Sequence, residues 1–148
     1  MPVNPELVGR EFAPTAPYSV GREKVREFAR AVFADDPQHT DPAAARALGY
    51  ADVVAPPTFA MVVQDLTLQQ LLAEPDSGIE LSHVLHAEQR FAYTRPIVAG
   101  DELVAQLAVT GIRTLGGNAM VTSNAVVTDA SGAHVVTATS VLLVGAGS

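Results

Sequence analysis

Apolar side chains are concentrated in one stretch of the chain, Pro56–Ala73, where their spacing is helical. Four of them fall at the i, i+3, i+4 and i+7 positions that share one helix face: Phe59, Val62, Val63 and Leu66. The two prolines that open the stretch suit a first helical turn, because the N–H that proline lacks has no intrahelical partner there. Asp65 is the only charge before Glu74, and a helix this apolar is usually buried on most sides. The pattern therefore predicts a core helix over 56–73, too short and too rich in Gln and Thr to cross a membrane.

After this helix the pattern changes to that of β-strands, and four strands are predicted, over Val84–Tyr93, Glu102–Arg113, Met120–Thr128 and His134–Val144. In the second of them Leu103, Ala105, Leu107 and Val109 alternate on one side, and the fourth is nearly all Val, Thr, Ala and Leu. Gly, Pro, Asn and Asp mark the turns between them, at 95–101, 115–118 and 129–132. Strands joined in succession by short turns predict an antiparallel meander, and an antiparallel sheet needs a cover for its apolar face. We therefore expect an α+β fold in which the sheet wraps around the 56–73 helix.

The segment before the central helix predicts smaller elements. Residues 1–17 contain four prolines and are expected to form an extended arm, followed by a short strand at 18–20. A helix is predicted over 21–33, with an apolar face made of Val25, Phe28, Ala29, Val32 and Phe33. Asp41-Pro42 marks the start of a second, short helix over 43–48, which Gly49 ends. At 148 residues the chain is expected to form one domain, 1–148, with a flexible tail at 145–148.

Composition narrows the function classes. The formal charge is −7, which argues against a nucleic-acid partner because such a partner requires a basic surface. The chain has no cysteine, so disulfides, thiolate nucleophiles and zinc–thiolate sites are excluded. The first residues lack the basic and apolar regions of a signal peptide. We therefore expect a cytoplasmic protein that contacts neither nucleic acid nor membrane.

The sequence holds few candidate catalytic residues. No Gly-x-Ser-x-Gly, Gly-x-Gly-x-x-Gly or Walker pattern is present. The loop Asp35-Asp36-Pro37-Gln38-His39 is the most suggestive cluster, because it lies between two predicted helices shortly before the buried one. From its residues alone it is an ordinary polar loop or helix cap, and two adjacent acids without a second histidine predict no metal site. Three other histidines are interpreted as surface or core-edge residues of the strand region: His83, His86 and His134.

Several short motifs together resemble a known family. The run Asp36-Pro37-Gln38-His39, followed by Asp41-Pro42, resembles the Asp-x-Asn-Pro-x-His motif of MaoC-like (R)-specific enoyl-thioester hydratases and 3-hydroxyacyl-thioester dehydratases. The segments Arg22–Ala29, Ala55–Phe59 and Gln89–Asp101 look closer to an actinobacterial branch of single-hot-dog proteins. That branch includes the substrate-binding subunits of (3R)-hydroxyacyl carrier-protein dehydratase. The resemblance covers nearly the whole chain and implies a hot-dog fold, an antiparallel sheet wrapped around a long helix.

The resemblance also implies acid–base chemistry that requires no metal and no cofactor. Dehydration takes a proton from C2 and delivers one to the C3 hydroxyl, and the family assigns this work to an Asp and a His in the loop. A backbone N–H at the start of the helix stabilises the developing enolate oxygen. The implied catalytic residues are His39 with Asp35 or Asp36. The implied substrate-binding residues lie at the helix start: Pro57, Thr58 and Phe59.

Two positions depart from the family pattern. Counted back from Pro37, the Asp of the motif falls on Ala34. Counted back from Phe59, the Gly of the helix start falls on Pro57, which has no N–H to donate, so the Thr58 N–H is the nearest alternative. The departures favour a dehydratase subunit that binds the acyl chain while a second MaoC-like chain supplies an intact Asp/His site.

Two alternatives stay open beside that hypothesis. One is a self-sufficient homodimeric enoyl-CoA hydratase that uses His39 with Asp35 or Asp36. The other is a non-enzymatic acyl-thioester-binding protein. In each case the expected ligand is a thioester of CoA or of acyl carrier protein. A homodimer or heterodimer is expected because the edge strands of a sheet are usually paired or covered.

Overall fold

The computed structural model describes residues 2–146 and shows an α+β architecture with one five-stranded sheet. The helices are α1 (Arg22–Ala31), α2 (Pro42–Ala47) and α3 (Ala60–Ala73). The strands are β1 (Tyr18–Ser19), β2 (Val84–Tyr93), β3 (Glu102–Leu115), β4 (Asn118–Thr128) and β5 (His134–Val144). Short 3-10 turns occupy Pro5–Leu7, Pro37–His39, Pro57–Phe59 and Leu81–His83. The predicted helices and long strands are confirmed, with ends shifted by one or two residues once the turn before α3 is included.

Neighbouring strands of the sheet are antiparallel, in the order β1-β3-β4-β5-β2. β3, β4 and β5 form the predicted meander, but the prediction that β2 joins it beside β3 is wrong, because β2 pairs with β5 at the opposite edge. The reason lies in the connection 94–101. Val98 in this connection forms an antiparallel bridge with Val54, and the Ala55 N–H donates to the Ile97 carbonyl at 2.8 Å. The connection is therefore held by the segment before α3 and crosses the sheet instead of closing a hairpin.

Helix α3 lies against one face of the sheet and packs on β3, β4 and β5. Its buried positions share one helix face: Ala60, Val63, Gln64, Thr67 and Leu71. The turn before α3 places Phe59 in the core, fully buried and edge-to-face with Phe28, with 5.3 Å between the ring centroids. Burial of one such side chain stabilises the folded state by about 2–3 kcal/mol, so Phe59 anchors the start of α3 in the core. No helix within residues 2–146, α3 included, has the length and apolarity that crossing a membrane requires.

Helix α1 ends two residues earlier than predicted, because the chain enters the left-handed region at Phe33 with a φ of +58°. The Phe33 N–H donates to the Arg30 carbonyl at 3.3 Å and the Ala34 N–H to the Ala29 carbonyl at 2.8 Å. These two bonds make a Schellman cap, in which Phe33 takes the position that glycine usually fills. Val32 and Phe33 are consequently 42% and 84% exposed, so their predicted place on the apolar face is wrong.

The N-terminal arm runs along the edge of β3 and reaches the loop after α3. Its residues Leu7 and Phe12 are buried, and Arg10 donates two hydrogen bonds of 2.9 Å to Asp76. Gly78, with a φ of +71°, lets the arm approach so closely that any side chain there would collide with the backbone. The arm therefore protects the β3 edge. The flexible tail predicted at 145–148 lies partly outside the described residues, which end at 146.

Candidate active site at the start of the central helix

An open cleft of about 460 Å³ lies at the N-terminal end of α3. The loop after α1, the segment before α3 and the end of β2 form its walls, with residues that include Asp36, His39, Val54, Pro57, Tyr93 and Arg95. Two other clefts, of about 260 and 320 Å³, lie at the far end of α3 and beside the end of β5, and neither contains a motif residue. The 460 Å³ cleft is therefore where the predicted catalytic loop and the predicted helix start meet.

His39 is buried in the wall of this cleft, with 8% of its surface exposed. Its Nδ1 lies 2.6 Å from the carbonyl oxygen of Val54. A carbonyl oxygen only accepts hydrogen bonds, so in the neutral ring Nδ1 carries the proton and donates it, and Nε2 is left with a free lone pair. No other hydrogen bond to this ring is present among residues 2–146. The arrangement suits a general base, whose orientation is fixed before a substrate arrives.

Backbone hydrogen bonds hold the segment to which His39 is attached. The Val54 N–H donates to the Gln38 carbonyl at 2.9 Å, so the loop and the 53–55 segment are joined by two bonds, one through the backbone and one through the imidazole. On its other side the segment is bonded to the 95–101 turn through Ala55 and Ile97. Three short pieces of chain are thus locked side by side, and the orientation of His39 depends on all three.

An ion-pair network holds the 95–101 turn. Arg95 donates two hydrogen bonds to Asp101, at 2.8 and 3.0 Å, and one to Asp129 at 3.2 Å. Asp101 also accepts a 2.9 Å bond from the Val98 N–H. Hydrogen bonds to Asp101 raise the pKa of Arg95, and bonds from Ser131 and then Arg95 lower the pKa of Asp129 to about 2. Arg95 and Asp129 therefore stay charged at neutral pH, and the guanidinium of Arg95 is occupied by the two carboxylates.

The start of α3 is tied to β2 by Tyr93, whose hydroxyl donates to the Pro57 carbonyl. Burial raises the pKa of Tyr93 to about 12, although the nearby Ala60 N–H acts in the opposite direction. The hydroxyl consequently keeps its proton at neutral pH. Pro57 has no N–H, and Phe59, the N-cap of α3, makes no side-chain capping bond. Tyr93 therefore places a protonated donor beside Pro57, which cannot donate a backbone hydrogen bond.

The structure brings together some of the predicted site residues and separates others. His39, Asp36 and Pro57 all line the cleft. Asp35 is exposed and is not among the lining residues. Phe59 is fully buried in the core, on the inner side of the helix start. The carboxylate that shares the cleft with His39 is therefore Asp36.

Two further positions bear on the family pattern. Thr58 is exposed and outside the cleft wall, and its N–H has no protein acceptor within the described range 2–146. Ala34, which occupies the place of the motif's Asp, is half-buried and is also not among the lining residues. Ala34 and Thr58 thus contribute no side chain to the cleft wall, and the third position, Pro57, contributes no charge.

Sequence reasoning missed Tyr93, Thr94 and Arg95 as residues of the site. Tyr93 was assigned to a strand, and the strand's inner face carries it together with the half-buried Phe91. The available signal was its position, because the strand ends where the family-like turn at Pro96 begins. An inward aromatic hydroxyl at that point is a candidate site residue that periodicity alone treats as packing.

Comparisons of sequence and fold find several similar proteins. Residues 6–138 match the family described as FAS1-like, dehydratase domain region. A UPF0336 protein from Clavibacter michiganensis subsp. michiganensis is 67% identical over 144 residues, which cover 97% of each chain. A solved MaoC-like dehydratase has a TM-score of 0.86 and 38% identity over 95% of this chain, which spans 42% of that protein. The C-terminally truncated HadBC (3R-hydroxyacyl-ACP dehydratase) complex from Mycobacterium tuberculosis has a TM-score of 0.80 and 32% identity, covering 90% of this chain and 92% of that one.

Proposed function

This chain belongs to the MaoC-like dehydratase family of hot-dog proteins, and from that premise we propose that it is one subunit of a (3R)-hydroxyacyl-thioester dehydratase or (R)-specific enoyl-thioester hydratase. Its cleft binds the acyl thioester, carried on CoA or on acyl carrier protein, and a second hot-dog chain completes the catalytic set. The HadBC complex supports a two-chain assembly, and the solved MaoC-like dehydratase, of which this chain spans 42%, is long enough to hold two such units. We also propose that residues 1–148 form one hot-dog domain.

The proposed reaction is acid–base catalysis on a 3-hydroxyacyl thioester. A base removes a proton from C2, the electrons of that bond form the C2–C3 double bond, and the C3–O bond breaks. A general acid protonates the departing hydroxyl, which leaves as water. His39 suits the first step, since its Nε2 has a lone pair and its Nδ1–H is bonded to Val54. Hydration of an enoyl thioester follows the same path in reverse.

One observation carries the proposal that a partner is required. The base is oriented, but no carboxylate within residues 2–146 hydrogen-bonds its ring, and the family's Asp is replaced by Ala34, which does not line the cleft. A lost general acid costs about 10²–10⁴ in rate, which is enough to make the isolated chain nearly inactive. The edge of β2 supports the same proposal, because within residues 2–146 this strand pairs only with β5.

A second candidate function is a homodimeric hydratase that needs no other chain. Asp36 lines the same cleft as His39, and it is exposed and free to change rotamer. In this candidate, Asp36 replaces the missing acid of the motif. The two candidates differ in whether the purified chain alone turns over substrate.

Binding and turnover measured separately test the proposal. The purified chain is titrated with butyryl-CoA, a saturated thioester that cannot react, in a calorimeter. Hydration of crotonyl-CoA is then followed for the chain alone and for the chain mixed with a hot-dog protein that carries the complete Asp-x-Asn-Pro-x-His motif, taken from the same genome. We expect binding by the chain alone and turnover only by the pair. A chain that binds no thioester, alone or in the pair, contradicts the proposal.

A further inference from the structure

We propose that the Tyr93 hydroxyl is the hydrogen-bond donor to the thioester carbonyl oxygen in this cleft, in place of the backbone amide that Pro57 cannot supply. The inference rests on the proposed function, since it presupposes an acyl thioester as ligand. It assigns a substrate-contacting role to a residue that no family motif marks.

Removal of a proton from C2 puts negative charge on the thioester oxygen, so the site needs a donor aimed at that oxygen. The family places a backbone N–H there, at the start of the helix. In this chain the corresponding residue is Pro57, which has no N–H, and the next amide belongs to Thr58, outside the cleft wall. A donor from another element at the same end of the cleft can take the place of this missing amide.

Tyr93 comes from the end of β2 and reaches the required place. Its hydroxyl already donates to the carbonyl of Pro57, so the phenolic oxygen lies within one hydrogen bond of the residue that should carry the missing amide. Both residues line the cleft. A substrate carbonyl that enters beside Pro57 can accept the hydrogen bond in place of the Pro57 carbonyl. Only the phenolic C–O bond has to rotate, and the ring does not move.

The ring itself is held in position on two sides. Phe91 lies on one side, with 6.3 Å between the ring centroids, and the hydrogen bond to the Pro57 carbonyl ties the hydroxyl on the other. Burial keeps the pKa of Tyr93 near 12, so the donor stays protonated through the neutral range. A fixed, neutral donor of this kind needs little reorganisation when charge develops on the substrate oxygen.

Among the other side chains with donor groups in the cleft wall, Arg95 and Thr94 already have partners, Thr94 with His134 at 2.6 Å, whereas Gln38 competes with Tyr93. The Arg95 guanidinium is occupied by Asp101 and Asp129. The backbone carbonyl of Gln38 accepts a bond from the Val54 N–H, so it holds the loop in place. The side-chain amide of Gln38 is a donor that competes with Tyr93. Gln38 is therefore tested beside Tyr93.

If Tyr93 had a purely structural role, its hydroxyl would only tie β2 to α3 and would not change the carbonyl of a bound thioester. The discriminating readout is the infrared stretch of the bound thioester carbonyl, which falls in frequency when the oxygen accepts a hydrogen bond. The probe is butyryl-pantetheine labelled with ¹³C at the carbonyl, which contains the part common to CoA and carrier-protein thioesters. The full-length parent is compared with Tyr93→Phe, which keeps the ring, and with Gln38→Met. Tyr18→Phe is the matched control, because Tyr18 packs on the same core cluster without lining the cleft.

We expect the carbonyl band to move to lower frequency in the parent and in Tyr18→Phe, and to stay near its position in water-free solvent in Tyr93→Phe, with about tenfold weaker binding. An equal shift and affinity in the parent and Tyr93→Phe overturns the inference, as does loss of the shift in Gln38→Met alone. Those results leave the proposed function standing. A parent that binds no butyryl-pantetheine and no butyryl-CoA overturns the proposed function, and the inference with it.

Discussion

Among single residues, His39 has two roles that substitution can separate. Its Nδ1–H satisfies the buried carbonyl of Val54, and its Nε2 is the proposed base. Asparagine carries an N–H where histidine has Nδ1–H, but it has no group in the place of Nε2. His39→Asn therefore keeps the structural bond and removes the base.

For His39→Asn we expect turnover of the two-chain enzyme to fall by about 10²–10⁴, with a melting temperature close to that of the parent. His39→Ala should lose the same activity and also about 1–3 kcal/mol of unfolding free energy, because the Val54 carbonyl loses its donor. Crotonyl-CoA kinetics and chemical denaturation of both variants check this. Full activity in His39→Asn shows that the residue is structural.

The raised pKa of Tyr93 predicts a pH dependence of stability with a definite sign. The folded protein holds the phenolic proton up to about pH 12, whereas an ordinary tyrosine loses it near pH 10. The contribution of the protonated Tyr93 to the free energy of folding is therefore complete below pH 10 and is lost as the pH rises towards 12. Denaturation at pH 9 and pH 11 should show a larger loss for the parent than for Tyr93→Phe, and an absorbance titration should lose its step near pH 12 in that variant. Equal losses in both proteins mean that the hydroxyl is solvated like an exposed one.

At the scale of elements, the cap of α1 shows local strain. Phe33 takes a left-handed backbone conformation, which destabilises a residue with a side chain by about 1–2 kcal/mol. Because Phe33 is 84% exposed, packing of its ring offsets little of this energy. Phe33→Gly should therefore raise the unfolding free energy by about 1 kcal/mol, as measured by chemical denaturation. Val32→Gly is the control, since Val32 has a negative φ of −104° and the glycine there should destabilise the protein. A destabilised Phe33→Gly protein contradicts this account of the cap.

Periodicity predicted the elements of this fold well and their pairing less well. The apolar run at 56–73 and the alternation of Leu103, Ala105, Leu107 and Val109 depend on local sequence, and both elements appear where expected. The place of β2 beside β5 depends on the long-range bridge of Val98 to Val54, which no local pattern encodes. For the same reason the site was predicted only in part. The loop motif marked His39, but the contact of Tyr93 with Pro57 joins positions 36 residues apart.

At the scale of the whole molecule, the two edges of the sheet differ. The arm and β1 cover β3, whereas ten residues of β2 have a free edge in the described part of the chain. An uncovered edge of this length invites pairing with a second chain. We therefore predict a dimer that forms through β2.

Light scattering at micromolar concentration should give twice the mass of one chain, or of one chain plus its partner. Leu85→Lys, a charge on the free strand at a position 67% exposed, should shift the protein towards monomer. Leu115→Lys, at the exposed end of β3, should leave the assembly unchanged. A stable monomer that binds no partner, or a dimer indifferent to Leu85→Lys, rules out assembly through this edge.

The central claim is that this cleft holds a base but lacks the acid of the motif. Its most direct test is the steady-state hydration of crotonyl-CoA by the purified chain without any partner, for the parent, Ala34→Asp and Asp36→Asn. We predict a parent rate close to the uncatalysed background, because a missing general acid costs about 10²–10⁴ in rate, and no further fall in Asp36→Asn; Ala34→Asp should stay near the same background, because position 34 does not line the cleft. A parent that turns over rapidly and loses that activity in Asp36→Asn contradicts the claim, because Asp36 is then the acid and the chain is a complete enzyme.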